Sequence, residues 1–72
     1  MSENRNKVEL EDCLCINASK LAIQVEIGDG PKTGEVLWIP NSQVDDDSEV
    51  WKKGDKGTLI VSEWIAEQKG LI

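Results

Sequence analysis

Residues 21–27 alternate in character. Leu21, Ile23, Val25 and Ile27 are apolar, and Ala22, Gln24 and Glu26 fall between them. Successive side chains on a strand point to opposite faces, so this run predicts a half-buried β-strand. Gly28-Asp29-Gly30-Pro31-Lys32-Thr33-Gly34 follows, with three glycines and one proline in seven residues, and reads as an expanded hairpin tip. Residues 35–39 return as a second strand of that hairpin. Pro40 stops it, because proline has no N–H to give to a ladder.

The rest of the chain organises around this hairpin. Val8 and Leu10 alternate with Glu9 and Glu11, then Cys13-Leu14-Cys15-Ile16 is apolar throughout. That change of phase predicts a first strand with a bulge or bend near Asp12. Residues 17–20 read as a turn. Residues 40–44 read as a tight helical turn or corner, 45–49 as an exposed acidic loop, and 52–57 as a turn entering a last strand over 58–61. Ser62 is a good helix N-cap, Val61 and Ala66 stand at staple positions, and Gly70 fits the left-handed position past a helix over 63–69. A helix that short must dock, through Trp64 or Ile65. The expected fold is mainly β: a small antiparallel SH3-like barrel of four or five strands with a short C-terminal helix. An OB-like barrel is the second choice and a flat sheet with the helix across one face the third. Residues 1–7 read as a disordered tail, and 8–72 as a single domain.

Composition narrows the function classes. Hydrophobic residues make up 39% of the 72, and the six glycines bring the apolar share to roughly 47%, an ordinary globular value. Eight Lys and Arg against 14 Asp and Glu give a net charge of −6, which disfavours a broad grip on nucleic acid or anionic lipid. No apolar run is long enough for a transmembrane helix, and the polar start has no signal-peptide core, so a cytoplasmic location is expected. Asn17-Ala18-Ser19 matches a glycosylation sequon, which has no meaning without secretion.

Catalytic and metal chemistry find little support. The chain has no histidine and no tyrosine, and no base stands near its serines or cysteines. The carboxylates of Asp45, Asp46 and Asp47 are solvated neighbours and lack the apolar pocket that would raise one pKa. Aligned on Asp45, a calcium loop would place Val50 where glycine belongs and Lys56 where glutamate belongs. Gly54-Asp55-Lys56-Gly57 opens no helix and is no phosphate loop. Cys13 and Cys15, two apart on one strand, share a face, are poorly placed for a disulfide and read as free thiols of a reduced protein. No enzyme activity, cofactor or metal is expected.

Binding remains. The three tryptophans are the only aromatic residues, and their 13-residue spacing has no matching local contexts. Trp38 in a strand and Trp64 in a docked helix read as core. Trp51 lies between the acidic loop and the basic cluster Lys52, Lys53 and Lys56, which makes these four the candidate binding residues. The ordinary alternative is that Trp51 packs on the core edge while the lysines solvate a turn.

Trp38-Ile39-Pro40-Asn41-Ser42-Gln43-Val44 and Trp51-Lys52-Lys53-Gly54-Asp55-Lys56-Gly57-Thr58-Leu59-Ile60-Val61-Ser62-Glu63-Trp64 resemble a group of short, uncharacterised bacterial and phage proteins, over roughly residues 20–71. The resemblance implies an intracellular bacterial or phage setting and an accessory role around phage DNA metabolism. It assigns no residue a role. The resulting expectation is a non-enzymatic binding module of phage or prophage type with a macromolecular partner, a protein ahead of a nucleic acid. A weak single-strand nucleic-acid binder using Trp51 and its lysines is the alternative, and an acidic mimic of nucleic acid that blocks a host protein is the third.

Overall fold

A computed structural model describes residues 7–72. The chain runs β1 (Lys7–Ala18), β2 (Ala22–Glu26), β3 (Val36–Pro40), a 3-10 turn (Asn41–Gln43), β4 (Lys56–Ser62) and α1 (Glu63–Gln68). The strands form one antiparallel sheet in the order β3-β2-β1-β4, with β3 and β4 on its edges. Lys7 opens β1 and so is no part of a tail; residues 1–6 of that expected tail lie outside the described residues.

β1 does two jobs because it bends. Its first half pairs with β4 (Val8 opposite Val61, Leu10 opposite Leu59), and its second half pairs with β2 (Cys15 opposite Val25). The register shifts between Leu10 and Cys13, where Asp12 takes a φ of 59°. That is the phase change legible in the sequence, since one extra residue carries the apolar set from one phase to the other. The bend presses the Asp12 carbonyl against Gly28, so closely that a Cβ there would overlap it. A side chain at 28 would force the bulge and the hairpin apart.

The inward faces of the strands meet in one core: Leu10, Cys13, Cys15, Ile23, Val25, Ile27, Ile39, Leu59 and Val61, closed by Val44, Val50, Ile65, Ala66 and Leu71. The strand expected over 21–27 keeps its interior but loses its start. Leu21 is 81% exposed and lies in the turn, where Ser19 caps the backbone N–H of Ala22. Turn chemistry outweighs the alternation at that end.

The stretch expected as an exposed acidic loop is instead sewn along the outer edge of β4. Val44 bridges Val61, Asp45 N–H donates to Ile60 O (2.8 Å) and Glu49 N–H to Thr58 O (2.9 Å). Ser48 is buried, and its Oγ accepts from Val50 N–H and Ile60 N–H. Asp46, Asp47 and Glu49 remain exposed, while Asp45 pairs with Lys7 at 2.9 Å.

Helix α1 is terminated as its sequence dictates. Ser62 Oγ accepts from Ile65 N–H, and the Ser62 hydroxyl donates to Gln43 Oε1 at 2.6 Å, tying the cap to the 3-10 turn. At the other end Leu71 N–H donates to Ala66 O and Gly70 N–H to Glu67 O, with Gly70 at φ 71°. Those two bonds are a Schellman closure. Ile65 and Ala66 face the core; Trp64 points away and is 59% exposed, which corrects its expected place in the core. No helix among the described residues is long and apolar enough to cross a membrane.

Candidate binding face

The sequence placed the candidate site at Trp51, Lys52, Lys53 and Lys56. Trp51 is half-buried and packs against the core cluster. Its indole Nε1–H donates to Ser48 O at 2.9 Å, and its backbone N–H donates to Asp55 Oδ2 at 3.0 Å. Lys52 N–H bonds the same carboxylate oxygen at 2.9 Å. These two N–H donors, from Lys52 and then Trp51, hold the Asp55 carboxyl below the usual carboxylate range. The turn is further fixed to β1, since Cys15 N–H donates to Asp55 O and Gly54 N–H to Cys15 O, both at 2.8 Å. The tryptophan therefore has a structural task, and the side chains of Lys52, Lys53 and Lys56 are exposed.

The other side of the sheet is different. On β2 the inward residues are Ile23 and Val25, so Ala22, Gln24 and Glu26 point outward. The hairpin register sets Pro40, Trp38 and Val36 directly beside those three. Val36 and Trp38 are accordingly 45% and 44% exposed, which corrects Trp38 from core to surface. On β1, Leu14 stands beside Glu26, and Ile16, two residues on, points to the same side at 36% exposure. Lys56 completes the row on the far side of Leu14. The outward face thus carries Val36, Trp38, Leu14 and Ile16 around Gln24 and Glu26, and Lys56 is the one expected site residue that joins it.

Hydrogen bonding leaves this face next to an open edge. Ile27 N–H donates to Glu35 O and Asn41 N–H to Leu21 O, at both ends of the β2–β3 ladder. Bonded pairs alternate in an antiparallel ladder, so Leu37 and Ile39 use their main-chain groups toward β2. Those of Val36 and Trp38 point the other way, off the sheet.

The remaining polar chemistry is sparse. Cys13 and Cys15 are both buried, separate thiols, and burial raises the pKa of each. Among the described residues, no group of three or more His, Cys, Asp and Glu side chains could hold a metal ion. An open cleft of about 230 Å³ lies between Lys7, Ser42, Gln43, Asp45, Asp46 and Ser62, with the Lys7–Asp45 ion pair in its wall. Comparison with protein-family models, curated proteins and solved structures found no match.

Proposed function

We propose that this chain is a non-enzymatic accessory module of phage or prophage type that works in the cytoplasm by binding a protein partner. The observation that carries the reading is Trp38. A tryptophan buries more apolar area on contact than almost any other side chain, and such residues dominate binding energy where they meet a partner. Trp38 stands on an edge strand, 44% exposed, with Val36 and Ile16 exposed on the same face. Gln24 and Glu26 lie between Val36 and Trp38 on one side and Leu14 and Ile16 on the other, with Lys56 beyond, and such a mixture of apolar and polar side chains around an exposed aromatic is the make-up of a protein contact. The same reading takes the bent sheet as an SH3-like barrel. β1 is shared between β4 and β2, and the 3-10 turn leads from β3 to the outer edge of β4, which supports that closure.

The test is recovery from host lysate with and without nuclease, using the wild-type chain, Trp38→Ala and a Lys52→Ala/Lys53→Ala double variant. The expected result is one nuclease-resistant protein, kept by the double variant and lost by Trp38→Ala. Nuclease-sensitive recovery that the double variant abolishes would replace this reading with the nucleic-acid one.

A further inference from the structure

We infer that the partner of this face is a basic, extended peptide segment that adds to the sheet as a strand alongside β3. The inference rests on the reading of the outward face as the binding face and specifies its partner. Exposed strand edges are commonly guarded by charge, proline or a bulge, because unpaired main-chain groups recruit other strands. On β3 the only such guard is Pro40, at one end. Between Pro40 and the hairpin tip stand Val36 and Trp38, whose N–H and C=O groups point off the sheet and have no partner among the described residues. A peptide strand laid there would bond to these groups and set its own side chains beside Val36 and Trp38 on the outward face.

Charge selects the kind of strand. Glu26 is exposed beside Val36 and forms no ion pair among the described residues. Glu35 is also exposed at the start of the edge, with only Lys32 near it at 3.9 Å. A lysine or arginine on the outer face of an added strand would lie two strand spacings, about 10 Å, from Glu26, which two long side chains can span. The chain's net charge of −6 draws the same partner from a distance and repels an acidic one. Every second residue of such a strand shares a face, so lysines or arginines on the outward side would lay their stems beside Trp38 with their charges toward Glu26, and the apolar residues between them would fall on the inward side beside Leu37.

A short end-blocked peptide alternating lysine with valine is the probe, followed by the amide resonances of the labelled protein. Three further peptides serve as comparisons: the same sequence N-methylated on its valines, the same sequence N-methylated on its lysines, and one with glutamate for lysine. Main-chain groups alternate in direction along a strand, so one of the two N-methylated peptides loses the bonds to β3 in either strand orientation. The lysine peptide should shift and protect the Val36 and Trp38 amides, and N-methylation of that one residue set should weaken binding about tenfold, through the loss of one or two main-chain hydrogen bonds. The glutamate peptide should not bind. Val36→Pro, which removes an outward N–H that the internal ladder does not use, should weaken the lysine peptide similarly while keeping the folded spectrum. Equal binding by both N-methylated peptides, with shifts still centred on Trp38, would overturn strand addition and leave the binding face standing. Shifts confined to residues 51–56, or pairing of two copies of the chain through β3, would overturn the face itself as the peptide site.

Discussion

At the residue scale, the three tryptophans separate by the phase of their strands and turns. Trp51 follows Val50, which is fully buried, and its indole N–H is used by Ser48 O; Trp38 is in phase with the outward Gln24 and Glu26. Trp51→Ala should therefore cost about 3–5 kcal/mol, the usual range for removing a packed tryptophan, and unfold much of so small a domain. Trp38→Ala should cost less than about 1 kcal/mol, because only a cross-strand contact is lost. Urea denaturation of the two variants checks both, and the opposite order would return Trp38 to the core. The sequence contains the information that decides this. Residues 36–39 are apolar on both faces, so the strand alone does not say which face is inside. The polar residues of β2 do, once the register sets Trp38 beside Gln24 and Val36 beside Glu26. That register is a long-range fact, fixed by the geometry of the hairpin tip, and composition around a single tryptophan does not reveal it. The polar neighbours of Trp51 fit its partial burial at the core edge, but they do not reveal that Ser48 O and the Asp55 carboxylate hold its indole and its main chain in place.

At the element scale, local signals and structure agree best where the signal is short-range. The cap and closing glycine of α1 lie within a few residues of the helix, and each stands where the sequence placed it. The bend of β1 was equally legible, because a bulge shifts the apolar phase on the strand itself. The stretch from 44 to 49 was not. Its string of acidic residues reads as a solvated loop, yet its backbone runs along β4 and its serine replaces a ladder partner, since Ile60 N–H bonds to the Ser48 hydroxyl oxygen. Pairing with a strand that comes later in the chain leaves no periodic mark. Gly70→Val tests the helix end. A β-branched residue at φ 71° is strained, and its Cβ would also sit 3.0 Å from Lys32 Cε. The substitution should lower stability by about 1 kcal/mol or more, read as a lower melting temperature. An unchanged melting temperature would mean that the left-handed closure is absent in solution.

At the scale of the whole molecule, the sheet has two unlike sides. One is closed by the core, with α1 and the stretch beside β4 completing it. The other keeps Val36, Trp38 and Ile16 in solvent, next to an edge strand whose outward main-chain groups have no partner among the described residues. So small a domain has little apolar surface to spare, and the proposed function assigns these exposed apolar side chains to a partner that covers them. The basic turn at Lys52 and Lys53 is held to β1 at Cys15, with β1 and β2 between it and β3, so the two candidate surfaces predict different footprints. The decisive measurement is amide hydrogen exchange of the chain alone and saturated with its recovered partner. Binding at the outward face predicts slowed exchange across β3, centred on Val36 and Trp38, with residues 51–55 unchanged. Slowed exchange across residues 51–55 with β3 unchanged would contradict the account and return the site to the lysine-rich turn.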